Sequence, residues 1–171
     1  MTLSFTQKIN GKPTYFTEKI WTALIHLNDE LKDGLKKYEE YRQQHVDKFG
    51  KDFGYNWLEI FPKIHTIRRD EPDRWKKGSI IHFVINNRSP ERFQFAPEIT
   101  CISTQTIEIK HPEIDFPGLK GFQVIVDGKN LSREEIEKIA VNDGFDEVVD
   151  FVNYFKEDFT GKLIHWTNHQ Y

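Results

Sequence analysis

Residues 63 to 69 read Lys-Ile-His-Thr-Ile-Arg-Arg, which sets an amine, an imidazole, a hydroxyl and two guanidinium groups within seven positions. Thr66 carries a hydroxyl that becomes a nucleophile only when a base takes its proton. Lys63 is that base if burial or the nearby charge of Arg68 lowers its pKa, because a free lysine is protonated at neutral pH. Arg68 can hold an oxyanion, a carbonyl oxygen or a phosphate with its planar fork. Far along the chain, Asp143 before Gly144 can orient the lysine or serve as acid and base. Lys63, Thr66, Arg68 and Asp143 therefore make a coherent acyl-transfer set.

The neighbouring residues offer binding rather than chemistry. His65 can pass a proton or simply pack. Arg69 and Arg74 can meet phosphate. Trp75, in Arg-Trp-Lys-Lys-Gly78, can stack on a base or anchor its turn into the core. Asn87 and Arg88 follow an apolar run, where an amide and a guanidinium can read a base edge or simply close a turn. No Walker loop and no Gly-x-Gly-x-x-Gly run is present. His65, His82, His165 and His169 show no metal-ligand spacing and Cys101 is the single cysteine, so neither a metal, a disulfide nor a cofactor is expected.

Charge is distributed unevenly. The formal net charge is −3, which argues against a general nucleic-acid coat. From Pro62 to Arg92, however, eight basic residues face four acidic ones, giving +4, while Asp127 to Asp158 holds four basic and ten acidic residues, giving −6. The positive segment can meet an anion. No apolar run approaches a membrane span and no charged-then-apolar leader opens the chain, so a cytoplasmic protein is expected.

The elements that must position these groups are legible from periodicity. With 171 residues and 14% aromatics, one domain over residues 1–171 with a real core is expected. Leu3 to Ile9 alternates as an opening strand, closed by Asn10-Gly11. Phe16, Ile20, Trp21, Leu24 and Leu27 mark a helix over 16–27, with Thr14 or Thr17 as its cap. The charged stretch from Asn28 to Phe49 reads as a second helix ending at Gly50, with Tyr38 and Tyr41 as packing residues. Ile80 to Ile85 is a buried strand with Arg92 to Phe95 returning beside it, and Ile99 to Ile109 is one long strand. His111 to Lys120 is a loop and Gly121 to Val126 a strand. Ser132 to Glu135 is a capping box opening a helix that Asp143-Gly144 ends. Val148, Phe151, Val152 and Phe155 face a further helix, and Lys162 to Thr167 closes as a strand. The pattern is an α+β domain with a small barrel.

In a plain strand Lys63 and Thr66 point to opposite faces, whereas Thr66 and Arg68 share one. A Lys63–Thr66 pair therefore needs a turn or helical step at Ile64-His65, which Pro62 favours.

Lys63-Ile-His-Thr-Ile-Arg68, followed by Arg74-Trp75-Lys-Lys-Gly78 and a strand, resembles the ASCH domain family of the PUA-like superfamily. That family carries a Lys-x-x-Thr-x-Arg element, a glycine opening a strand, and later a helix ending in an acidic residue and glycine, here Asp143-Gly144. The resemblance spans roughly residues 1–27 and 62–167. Two departures stand out: a helical insertion at about residues 28–61, and aspartate where members often carry glutamate. The resemblance implies a PUA-like small β-barrel with flanking helices and a cleft lined by Lys63, Thr66 and Arg68. It also implies RNA, a nucleotide or a modified nucleoside as ligand. Three readings follow: an RNA- or nucleotide-binding domain; a small amidohydrolase that deacylates a modified nucleoside such as acetylated cytidine; or a protein-interaction module whose partner docks on the inserted helix. One fold supports all three.

Overall fold

The computed structural model describes residues 1–53, 60–112 and 121–171. Within them are four helices and three sheets, a mixed α+β architecture, with no closed barrel detected. The expected loop at 111–120 lies outside the described residues from 113 onward, and so does the 54–59 part of the expected insertion.

The opening segment is shorter than its alternation predicts. β1 (Thr2–Phe5) ends where Thr6 turns its hydroxyl to the Lys8 carbonyl oxygen at 2.8 Å, and β2 (Lys8–Ile9) and β3 (Lys12–Pro13) form a separate hairpin. Its two-residue turn, Asn10-Gly11, has positive φ at both positions (51° and 80°), the geometry that favours Asn-Gly in hairpins.

α1 (Phe16–Leu27) follows the predicted apolar steps and buries Ile20, Trp21 and Leu24. Neither threonine caps it. Tyr15 is the N-cap residue, while the Thr14 hydroxyl donates to the Thr6 carbonyl oxygen at 2.7 Å. Asn28 then stops the chain from running straight into the next helix. Its Oδ1 accepts the backbone N–H groups of Glu30 and Leu31, and its Nδ2 donates to the Trp166 carbonyl oxygen at 2.6 Å. α2 (Gly34–Phe49) therefore starts six residues later than its charge pattern suggests. It ends at Gly50, whose φ of 66° suits a left-handed helix stop. Tyr38 meets the Trp21 ring edge-on at 5.4 Å, so it is a packing residue as expected.

β4 (His65–Arg68) precedes β5 (Ile80–Ile85), which is the hub of the first sheet. β5 pairs in parallel with β1, and antiparallel with β6 (Phe93–Gln94) and β7 (Ile99–Thr100). The long strand expected over Ile99–Ile109 is broken at Cys101-Ile102. There the chain leaves β5 and enters the second sheet as β8 (Ser103–Lys110). That sheet runs β10 (Lys129–Asn130), β9 (Gln123–Val126), β8, β11 (Phe159–His165), β4. α3 (Arg133–Asn142) opens on the predicted capping box, and α4 (Val148–Tyr154) follows it.

Successive residues of β11 separate two apolar cores. Ile164 joins Trp21, Phe83 and Phe95 under α1, whereas Leu163 joins Ile107, Val124, Ile139 and Phe151 under α3 and α4. Each fully buried side chain of this size contributes on the order of 2–3 kcal/mol. Among the described residues no helix is long and apolar enough to cross a membrane.

Candidate active site

Two strands carry one unpaired edge each on the same side of the molecule. Among the described residues β1 is bonded only to β5, and β4 only to β11. Between these edges lies a cleft of about 390 Å³. Ser4, Phe5 and Gln7 form one wall and Thr66, Ile67 and Arg68 the other. Arg68 bridges the seam, with Nη2 donating to the Ser4 carbonyl oxygen at 2.8 Å and its guanidinium carbon 5.3 Å from the centre of the Phe5 ring. Arg68 gets so close to the sheet because Gly161, on β11, has no side chain. A Cβ there would overlap the Arg68 carbonyl oxygen.

Lys63 forms the floor. It precedes β4, and the two backbone N–H groups before the strand turn elsewhere: Lys63 donates to the Lys19 carbonyl oxygen and Ile64 to that of Asn142, both at 3.0 Å. Lys63 and Thr66 both line the cleft even so. Thr66 and Arg68 share the cleft face, as the two-residue period of a strand demands. The Thr66 hydroxyl has no hydrogen-bond partner among the described residues.

Asp143 arrives from the opposite side as the C-cap of α3. Its Oδ1 lies 2.6 Å from Lys63 Nζ and accepts the Ile67 N–H at 3.2 Å, and its carbonyl oxygen also accepts from Lys63 Nζ. The shorter aspartate reaches its partner because the helix end itself is pressed against the lysine. Gly144 permits that approach. Its φ is 92°, and a Cβ there would sit 2.8 Å from Phe16 Cε1 and 3.0 Å from Lys63 Cδ. Lys19, which sequence patterns did not single out, fixes the same turn by donating to the Gly144 carbonyl oxygen at 2.8 Å and pairing with Asp146 at 2.5 Å.

The pair is almost dry, with Lys63 1% and Asp143 6% exposed. Burial pulls the Lys63 amine down to about 8, against the upward pull of Asp143, and Arg68 and Lys19 assist the fall. For Asp143 burial pushes upward, but Lys63 and His65 outweigh it and hold the carboxyl below its ordinary value. Phe16 and Phe5 place their rings 4.8 and 5.9 Å from Lys63 Nζ, a favourable setting for a cation that still eases its loss by excluding water. Such a site holds a lysine close to the point where it can accept a proton at physiological pH.

The remaining candidates scatter. Asn87 lines the cleft mouth beside Asn86, and Phe145 and Tyr154 complete its rim. His65 is fully buried on the other face of β4, behind Asp143, and does not line the cleft. Arg69 is exposed, 5.4 Å over the Phe159 ring, beside a shallow depression that shares Tyr154 with the cleft. Trp75 is a core residue, 6% exposed, whose N–H donates to Asp70 at 2.8 Å, so it offers no stacking face. Arg74 gives its backbone N–H to the same carboxylate and lies outside the cleft, as does the exposed Arg88 at φ 68°. No three His, Cys, Asp or Glu side chains among the described residues gather as a metal site.

Phe5, Phe16 and Tyr154 are site residues that sequence reasoning missed. Their aromatic character reads as core, and only the fold brings them to the seam. No protein-family model matches this chain, and neither a curated protein nor a solved structure matches it.

Proposed function

We propose that the seam between β1 and β4 is the active site of a small ASCH-type amidohydrolase that removes an acyl group from a modified nucleoside such as acetylated cytidine. One observation carries this reading. Lys63 Nζ and Asp143 Oδ1, buried 2.6 Å apart, lie on the floor of a cleft that Thr66 and Arg68 also line. A site built for binding alone has no use for a nearly dry lysine held near neutrality, since replacing such a pair with apolar side chains is often neutral or stabilising.

The chemistry balances with these groups. The nucleophile, the Thr66 hydroxyl or a water beside it, attacks the acyl carbon as its proton passes to neutral Lys63. The ammonium so formed gives that proton to the exocyclic nitrogen as the carbon–nitrogen bond breaks. Where Thr66 attacks, water then cleaves the threonine ester. The sum is amide plus water to carboxylate, amine and one proton. Arg68 keeps guanidinium N–H groups beyond the one given to Ser4, and these serve the developing oxyanion. In this reading the two sheets are a PUA-like barrel left open at one seam, and α2 belongs to an insertion at about residues 28–61.

Purified protein incubated with N4-acetylcytidine at pH 8.5, with cytidine and acetate followed by chromatography, tests the proposal. Turnover is expected, abolished by Lys63→Ala and by Thr66→Ala with the fold retained; a folded wild type that releases no cytidine removes it.

Binding of RNA or a nucleotide without turnover is the second reading, supported by Asn86, Asn87 and Arg68 on one cleft and by exposed Arg69 beside it. It requires that Arg68→Ala with Arg69→Ala weaken RNA binding and flatten its salt slope; an unchanged slope counts against phosphate contact there. A partner docking on α2 has less support, because Tyr38 and His45 of that helix are already buried against the core.

A further inference from the structure

Behind the Lys63–Asp143 pair sits a buried polar group that the proposed chemistry does not use. His65 is fully buried, and its Nε2 lies 2.7 Å from the Tyr171 hydroxyl, which also receives Asn142 Nδ2–H at 2.7 Å. Its other nitrogen, Nδ1, has no hydrogen-bond partner among the described residues, and faces Asp143 Oδ1 at 3.7 Å. That separation exceeds a normal hydrogen bond by about 0.8 Å. Leaving a buried donor unmet is costly, so such orphans call for an explanation.

The hydrogen bonds accommodate the tautomer protonated on Nδ1. The Tyr171 oxygen accepts from Asn142, so its own proton is free to go to His65 Nε2. A neutral His65 that accepts at Nε2 must carry its proton on Nδ1, the nitrogen aimed at Asp143. Burial keeps the ring neutral by pulling its pKa down, against the pull of Asp143. The other groups facing it favour neutrality as well: Lys63 across Asp143, His169, and the ring of His165 on β11, 5.3 Å away.

A lysine that acts as base must lose its charge while Asp143 stays buried. At that moment the carboxylate loses its cation and keeps the Ile67 N–H with the weaker N–H of an uncharged amine, so a further donor closing on it is favoured. We infer that His65 is a positioning residue whose Nδ1–H is the standby donor for Asp143, taking up the carboxylate as Lys63 becomes neutral. The inference rests on Lys63 being the base, but its test does not depend on turnover. Lys63 is also faced by Lys19 from α1, which donates to Gly144 and Asp146, and by Arg68 from β4, which donates to Ser4.

Two substitutions separate the ring nitrogens. His65→Asn places an amide N–H where Nδ1 stands and loses the Tyr171 link. His65→Gln reaches Tyr171 and loses the donor to Asp143. The Lys63 amine is titrated by NMR in lysine-labelled protein, with Lys63→Met identifying its signal. His65→Gln is expected to raise the Lys63 midpoint by about one pH unit, a tenfold loss of neutral amine at fixed pH. His65→Asn should leave it near the wild-type value. Equal shifts in both variants, or no shift in either, overturn the inference. The imidazole nitrogen spectrum of the unmodified protein gives a check that needs no variant: Nδ1 should be the protonated nitrogen of His65, and a proton on Nε2 overturns the assignment. A protein that shows these titrations yet releases no cytidine supports the role of His65 and refutes the hydrolase reading alone.

Discussion

Losing either member of the Lys63–Asp143 pair should be costly at pH 7, and acid should separate the two losses. Lys63→Met keeps an unbranched chain and strands the Asp143 carboxylate, with Ile67 N–H as its remaining close donor. The escape is protonation. An ordinary aspartate titrates at 3.8, so folding with a protonated carboxyl at pH 7 costs about 4 kcal/mol. That falls within the range of about 3–5 kcal/mol for removing one member of a buried pair. Asp143→Asn strands the lysine instead, but the amide oxygen still accepts the Ile67 N–H. An ordinary lysine titrates at 10.5, so folding with the neutral amine at pH 7 costs about 5 kcal/mol by the same reckoning. At pH 5 the first penalty falls to about 2 kcal/mol, while the second stays at the limit of about 3–5 kcal/mol for a buried unpaired charge. Urea denaturation of both variants and of the double variant at pH 7 and pH 5 reads these values directly. The double variant should recover most of the loss seen in Lys63→Met at pH 7. Equal, pH-independent penalties for the two single substitutions would refute the account of the pair.

Gly144→Ala combines a left-handed φ with a Cβ too near Phe16 and Lys63. It should cost about 1–3 kcal/mol and displace Lys63, read as a lower Tm and a larger proportional loss of turnover. His165 is fully buried, neither ring nitrogen has a hydrogen-bond partner among the described residues, and burial holds its pKa down to about 3 against an ordinary 6.5. Between those values the unfolded chain binds the extra proton. Stability should therefore fall as pH drops below 6.5, by up to about 1.4 kcal/mol per pH unit. His165→Phe should flatten that acid limb in urea titrations between pH 6.5 and pH 4; an unchanged slope would show that other groups set it.

Regular elements with one partner face were readable because their periodicity is local. The apolar steps of α1, the run of β5 and the Ser132–Glu135 box all carry their signal within a dozen residues. The break in Ile99–Ile109 was not readable. Both halves alternate properly, and only the change of partner from β5 to β11 requires the bend at Cys101-Ile102. β4 was obscured for a related reason: His-Thr-Ile-Arg looks polar, yet three of its four residues are buried by α3, β11 and the chain near Tyr171. At the site, spacing named Lys63, Thr66 and Arg68, but their link to Asp143 joins positions 80 apart. The role of Gly144 as the gap that admits the lysine stem appears only when Phe16 is in place.

The central claim is that neutral Lys63 is the base for acyl transfer in the β1–β4 seam. Its most direct test is the pH dependence of kcat/KM for N4-acetylcytidine between pH 6 and pH 10. The rate should rise tenfold per pH unit at the acid end and level off with a midpoint near 8, the value to which burial brings Lys63. A pH-independent rate, or a midpoint unmoved by a substitution that moves the Lys63 titration, would contradict it.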